Sequence, residues 1–339
     1  MPDILITGGA GFIGYHLARH LLQTNPRKTL LLADNLQRGR MDADFKALLE
    51  EPNVAFLNLD LTDLSAYEKL PDECEHVYHL AAVNGTDLFY KIPDQVLRTN
   101  LLSLIYLLDW FKEKNKNGKF CFTSSNEAYA GGLIAFDTLP IPTPENVPLV
   151  IEDTYNPRWS YGSSKLAGEL LVINYARRHN FRALIVRPHN FYGPRAGFDH
   201  VIPQFSTRIA ARVDPFPLYG GSDTRTFCYI DDAVCAMRLL MESTETDKQP
   251  IETVHIGDMR EIAIQDLLEK MFRAAGWRPR EIEVKNSAKG SVKRRLANIS
   301  KLQRLTGWKP ETTLEEGLRR TYEWYRDHPD TREHYEQKN

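Results

Sequence analysis

The chain has 339 residues, 42% of them hydrophobic and 26% charged, and carries a formal net charge of −2. That length supports a large core plus a second lobe, and the near-neutral balance excludes a global field that would draw nucleic acid or an anionic membrane. Cys74, Cys121, Cys228 and Cys235 form neither a CxxC pair nor a metal-ligand spacing, which fits a reduced cytoplasmic setting and predicts no metal site.

The first predicted element is the apolar run Ile4-Leu5-Ile6-Thr7, which breaks into Gly8, Gly11 and Gly14 at three-residue spacing. A buried strand turning sharply into a helix needs such bare backbone, and free N–H groups at the helix start favour a pyrophosphate. Tyr15 to Leu22 follows with apolar residues at 17, 18, 21 and 22, the spacing of a helix. Leu30-Leu31-Leu32-Ala33 then leads to Asp34, placed to accept from adenosine ribose hydroxyls and to repel a 2′-phosphate. This predicts NAD rather than NADP, against a basic loop at Arg38 and Arg40 that offers the opposing charge.

Further strands are expected at Thr29–Ala33, Val54–Leu57, His76–Leu80, Lys119–Thr123 and Ala183–Arg187, with helical patterns between them. Alternation of this kind means parallel strands joined by helical crossovers, that is, an α/β doubly wound sheet of Rossmann type. Its expected extent is residues 1–188 and 226–258. A smaller α/β substrate-binding lobe is assigned to 189–225 and 259–328, where Pro and Gly become frequent, and a polar tail to 329–339. A late strand falls at Val254–Gly257 and a late helix at Ile262–Ala275. The longest apolar stretch, Leu101–Phe111, is too short to cross a membrane, and Met1-Pro2-Asp3 lacks the basic start of a signal peptide.

A second constellation combines Ser124-Ser125-Asn126-Glu127-Ala128-Tyr129, just past a strand, with Tyr161-Gly162-Ser163-Ser164-Lys165. Tyr161 and Lys165 stand four apart on one helix face. An ammonium there is expected to lower the phenol pKa and make the tyrosine a base, while the Ser125 hydroxyl holds a substrate alcohol in line.

At these residues the chain resembles the extended short-chain dehydrogenases/reductases, specifically the nucleotide-sugar epimerases and dehydratases. The resemblance spans roughly residues 3 to 325 and its pieces come in the family's order. It implies NAD as cofactor, held by Gly8, Gly11, Phe12 and Ile13 in the glycine loop, Asp34 and Asn35 after the second strand, and Asp60-Leu61 beside the adenine. Leu80, Ala81 and Ala82, Asn100, and Pro188 together with Tyr161 and Lys165 complete the cofactor set. Ser125, Tyr161 and Lys165 match the family's catalytic triad. Arg187-Pro188-His189-Asn190 resembles the segment whose asparagine reaches a sugar diphosphate, and Arg225 and Arg295 look like phosphate contacts, with Asn126 and Val201 also on the substrate side. Guanidinium groups suit that task because they grip phosphate oxygens bidentately. Apolar neighbours favour Arg225 over Arg295.

The implied reaction is transient oxidation of a nucleotide-diphosphate sugar at C4, and a homodimer is implied through the helices around Leu101–Phe111 and Tyr161–Tyr175. Three outcomes stay open. The 4-epimerase is favoured as the commonest in the family; Glu127, a further candidate catalytic residue, resembles the carboxylate of the dehydratases and uronic-acid decarboxylases. Asn126 counts against dehydration because an amide is no acid for a leaving hydroxyl. Asn156-Pro157-Arg158-Trp159-Ser160-Tyr161 resembles the decarboxylase branch. A noncatalytic NAD-binding protein would be favoured by loss of Tyr161 or Lys165, and both are present.

Overall fold

The structure, a computed structural model, describes residues 2–115, 117–135, 139–286 and 292–328. The polar tail expected at 329–339 lies outside the described residues. The first half runs β1 (Ile4–Thr7), α1 (Phe12–Thr24), β2 (Leu30–Asp34), α2 (Ala43–Leu49), β3 (Val54–Asn58), β4 (His76–His79), α3 (Thr86–Lys91), α4 (Pro93–Lys114), β5 (Lys119–Thr123), α5 (Glu127–Ala135), α6 (Trp159–His179) and β6 (Arg182–Pro188). The second half adds β7 (Phe191–Tyr192), α7 (Val201–Ala210), β8 (Phe216–Tyr219), β9 (Thr224–Arg225), β10 (Cys228–Tyr229), α8 (Ile230–Glu242), β11 (Ile251–Ile256), β12 (Ile262–Ala263), α9 (Ile264–Ala275), β13 (Ile282–Lys285), α10 (Ser300–Thr306) and α11 (Leu314–Asp327).

Seven strands form one parallel sheet in the order β11-β6-β5-β4-β1-β2-β3, the doubly wound arrangement expected from the alternating pattern. Strand alternation divides the core between two faces. Ile4, Ile6, Leu30, Leu32, Leu184 and Val186 point to the side of α1 and α8, while Leu5, Leu31, Val77, Phe120, Phe122 and Ile185 point to the side of α4 and α6. Both faces are apolar, so the strands read as continuous hydrophobic runs. Each fully buried Leu or Ile contributes about 1.5–3 kcal/mol of transfer free energy.

Smaller sheets follow in the second half. Strands β8 and β13 pair in parallel, β9 and β12 antiparallel, and α7, α9 and α11 pack on one another around Phe205, Phe216, Leu267 and Leu318. Boundaries differ from the sequence reading in places: the late strand runs Ile251–Ile256 rather than Val254–Gly257. Ile262 and Ala263 do not open the late helix; they pair with Arg225 and Thr224, and α9 starts at Ile264. The residues after Asn126 coil into α5, whose Ala128 to Gly132 are all buried, so it lacks the one-sided apolar stripe by which a helix is recognised.

Candidate active site

The parallel strands bring the glycine loop, the end of β2 and the end of β4 to one edge of the sheet. Between β1 and α1 the chain turns at Gly8, whose φ of +72° suits glycine. A Cβ there would lie 2.7 Å from the Ala81 backbone nitrogen, and one at Gly14 would lie 2.3 Å from the Gly8 carbonyl oxygen. Side chains are thus excluded where the loop meets β4 and α1. Helix α1 has no side-chain cap at Gly11, which leaves its first N–H groups and the positive end of its dipole facing the cleft.

That cleft has a volume of about 490 Å³. Gly8, Gly11, Phe12 and Ile13 line its floor; Asp34 and Asn35, Asp60 and Leu61, and Leu80, Ala81 and Ala82 line its walls. Asp34 accepts hydrogen bonds from the Ala10 N–H at 3.1 Å and the Leu36 N–H at 2.8 Å. Burial raises its carboxyl above the ordinary value against those two bonds. Asn100 stands behind the lining: its Oδ1 accepts from the Val83 N–H at 2.7 Å and its Nδ2 donates to Ser164 Oγ at 3.0 Å, tying α4 to α6. Pro188 closes β6 and its carbonyl accepts from the Asn126 N–H at 3.4 Å.

Tyr161 and Lys165 lie on the buried face of α6, opposite the tip of β5. Phe89 stacks on the Tyr161 ring, with centroids 5.1 Å apart and planes 13° apart. The Lys165 Nζ donates to the Thr123 carbonyl at 2.8 Å and lies 5.6 Å from the Tyr161 ring centre. The expected lowering of the phenol pKa by Lys165 is not found. Burial holds Tyr161 above its ordinary value, with a Ser125 hydrogen bond working downward and Glu127 upward. Burial also brings the Lys165 ammonium down to about 7. Desolvation penalises the charged form of each group, and it outweighs a pairwise attraction that sequence spacing alone suggests.

A second cavity, of about 400 Å³, is lined by Asn190, Val201 and Arg225 together with Phe191, Gln204 and Phe227. Asp199 and His200 line both cavities, so the two adjoin. Asn190 adopts a φ of +46° and its Nδ2 donates to the Thr226 carbonyl at 2.8 Å. Arg225 is half-buried; burial and the nearby Arg295 bring its guanidinium down to about 10.

Arg295 is the more buried of the two, at 6% exposure, and its surroundings are polar. Its Nη1 donates to Asn126 Oδ1 at 2.9 Å and to Glu127 Oε1 at 2.8 Å. Arg158 donates to the other Glu127 oxygen at 3.4 Å. Burial alone would raise the Glu127 carboxyl, but Arg295, Arg158 and Arg225 outweigh it and hold the group below the ordinary glutamate range. The two arginines are therefore placed differently: Arg225 lines the second cavity, whereas Arg295 is buried and held by a carboxylate and an amide. Local pairing explains its approach. Arg294 bridges to Thr224, Ala297 bridges to Thr143, and Thr143 exchanges backbone bonds with Leu296 and Asn298. Between these anchors Arg294 reaches outward to Glu261 at 2.7 Å, and Arg295 turns inward.

Comparison with known proteins adds the family. A family model described as GDP-mannose 4,6 dehydratase matches residues 5–321. The chain belongs to the NAD-dependent nucleotide-sugar epimerase/dehydratase family. Three relatives illustrate its range. UDP-glucuronic acid decarboxylase 5 of Arabidopsis thaliana is 30% identical over 322 residues, covering 93% of this chain and 86% of that one. The UDP-glucose 4-epimerase of Thermotoga maritima, solved with UDP-glucose, is 29% identical with a TM-score of 0.81, covering 95% and 98%. The dTDP-glucose 4,6-dehydratase DesIV of Streptomyces venezuelae, solved with NAD, is 25% identical with a TM-score of 0.83, covering 96% and 98%. This epimerase/dehydratase-family chain is thus an NAD-dependent enzyme, and the glycine cradle, the uncapped α1 start and the Asp34 carboxylate fit that cofactor.

Three features escaped the sequence reading. Arg158 sits on Glu127, Asp199 joins the cavities, and Glu169 on α6 pairs with Arg187. A signal existed for the first, since Arg158 precedes Tyr161 by one helical turn, and for Glu169, which follows Lys165 by one turn.

Proposed function

We propose that the enzyme oxidises a nucleotide-diphosphate sugar transiently at C4 and then directs the 4-keto sugar to loss of a C6 carboxylate as carbon dioxide. The observation that carries this reading is the ionised Glu127 held between Arg295 and Arg158 beside the Ser125–Tyr161 pair. Tyr161 is the group placed to take the C4 hydroxyl proton, Ser125 orients that oxygen, and the Lys165 ammonium, 5.6 Å from the ring centre, is the neighbouring cation that must offset the burial holding the phenol up. NAD bound in the cleft would supply the hydride acceptor for C4 and later the donor, leaving no net redox change. Gly8, Gly11, Phe12, Ile13 and the α1 start would hold its pyrophosphate, and Asp34 its adenosine ribose.

In the 4-keto sugar the C5–C6 bond breaks, its electron pair passes into the ketone as an enolate, and C5 then takes a proton. A C6 carboxylate needs cationic donors. Guanidinium groups outnumber carboxylates here, and the Nε atoms of Arg158 and Arg295 are buried with no hydrogen-bond partner among the described residues. Dehydration instead needs an acid for the C6 hydroxyl, and Asn126 supplies none; its Oδ1 is engaged by Arg295. Arg225 and Asn190 in the adjoining cavity suit the diphosphate.

The 4-epimerase favoured from the sequence is the second reading. Both Glu127 oxygens accept from arginines, which allows the carboxylate a purely structural part and leaves C4 as the carbon addressed. Incubation with UDP-glucuronic acid, UDP-glucose, UDP-galactose and dTDP-glucose, followed by mass spectrometry, tests the choice. Loss of carbon dioxide supports the first reading; an isomer of unchanged mass supports the second; loss of water overturns both in favour of dehydration.

We also propose a homodimer through α4 and α6. These helices pack on each other, yet Leu101, Leu102, Ile105, Tyr106, Leu171 and Ile173 stay only half-buried and Leu170 is exposed. A monomeric mass by light scattering at micromolar concentration would count against it. No helix among the described residues is long and apolar enough to cross a membrane.

A further inference from the structure

Glu169 and Arg187 form an ion pair whose side chains are 3% and 4% exposed. Arg187 donates through Nε to Glu169 Oε1 at 2.8 Å and through Nη2 to Oε2 at 2.7 Å, the bidentate geometry that gives such pairs their direction. Ser124 Oγ donates to the same Oε1 at 2.5 Å, and Arg187 Nη1 donates to the Glu145 carbonyl at 3.0 Å. Nothing in this network touches the cavities, and burial of two charges is costly for stability alone.

What it joins is informative. Glu169 lies one turn beyond Lys165 and two beyond Tyr161 on α6. Ser124 immediately precedes Ser125, and Arg187 immediately precedes Pro188 on β6. Lys165 reaches the Thr123 carbonyl, so successive turns of α6 are pinned to successive residues at the tip of β5. A second tie runs from the Ser124 N–H to the Val186 carbonyl at 2.8 Å.

We propose that Glu169, Arg187 and Ser124 act as positioning residues: they lock the tip of β5 against α6 and so set the approach of the Ser125 hydroxyl to the Tyr161 phenol. The inference rests on the reading of Ser125, Tyr161 and Lys165 as the C4 machinery. The bidentate pair fixes the carboxylate, and the carboxylate fixes Ser124 through one hydroxyl. Misplacing a reacting group by about 1 Å costs on the order of a hundredfold in rate.

Ser124→Ala is the discriminating variant, since it leaves the ion pair and the Ser124 backbone bond in place. On the fastest-turned-over sugar of the panel above, kcat should fall about tenfold to a hundredfold, with KM within twofold and the melting temperature unchanged. Glu169→Gln should lose at least as much, and the double variant no more than Glu169→Gln alone, because both act through one contact. Independently of any sugar, the ring carbon-13 shift of Tyr161, assigned through Tyr161→Phe, should move in Ser124→Ala. Full kcat with an unmoved Tyr161 signal would overturn the proposal, as would a kcat loss matching only the unfolded fraction. Tyr161→Phe, run alongside, separates the two failures: if it stays active, the reading of the C4 machinery is wrong; if it is dead while Ser124→Ala is unimpaired, only the positioning role is wrong.

Discussion

The cofactor cleft and the arginine cluster around Glu127 adjoin in space but are built on opposite principles. Most of the cleft wall comes from strand ends of the first 82 residues, where each loop follows directly from a strand in the parallel sheet. The cluster gathers Asn126 and Glu127, Arg158, and Arg295 from segments separated by as many as 169 positions. Backbone does the work in the first region, through a glycine turn and an uncapped helix. In the second, a balance of buried charges does it. A backbone device tolerates change in its neighbours, whereas a charge balance depends on every member.

The largest expected effect lies on the border between the two. Tyr161→Phe keeps the ring stacked on Phe89 but removes the proton acceptor, so turnover should fall about 10²–10⁴-fold while NAD and nucleotide-sugar binding persist by calorimetry. Activity within tenfold of wild type would remove Tyr161 from the mechanism. Next comes Arg295→Met, which strips Glu127 of its nearest cation. Loss of one buried partner should cost about 3 kcal/mol in denaturant unfolding and raise the Glu127 pKa, while NAD affinity is kept. An equal fall in NAD affinity would show that the two regions are not independent.

Glu127→Gln sharpens the outcome chemistry. Under decarboxylation the variant should lose most of its turnover; retention of at least a tenth would favour the 4-epimerase. In the cleft, Asp34 should make NAD bind about tenfold or more tighter than NADP, through repulsion of the 2′-phosphate. Equal affinities by calorimetry would mean that Arg38 or Arg40 governs that corner.

The gentlest test concerns acid. His255, buried beside Arg187, has its pKa pushed down to about 3, first by burial and then by that arginine. Between about 3 and the ordinary value of 6.5 the unfolded chain binds the extra proton, so stability falls as pH drops through this window. His255→Asn should flatten the acid limb by about 1.4 kcal/mol per pH unit, read from unfolding midpoints between pH 6 and 4. An unchanged slope would show that His255 titrates normally.

The contrast also explains what could be read without coordinates. Gly8, Gly11 and Asp34 announced the cleft because a dinucleotide turn is a local backbone problem with a local signature. Tyr161 and Lys165 were legible for the same reason, being one turn apart. The direction of the Tyr161 shift was not, because burial by Phe89 and the β5 tip is a tertiary property. Glu127 stood out as a carboxylate, but its ionisation depends on Arg295, and no short pattern links residues 168 positions apart. Glu169 and Arg187 are ordinary helix and strand residues until the sheet places them face to face.

The run from Arg294 to Asn298 carries a further consequence. It is clamped at Thr224 and at Thr143, with consecutive arginines sent to opposite sides, Arg294 to Glu261 and Arg295 to Glu127. Because extended backbone alternates with a period of two, a slip of one residue would exchange them. Register within the run is therefore as consequential as identity: a one-residue shift at the two clamps would present Leu296 or Arg294 to Glu127, rewriting the site with no change in composition around it.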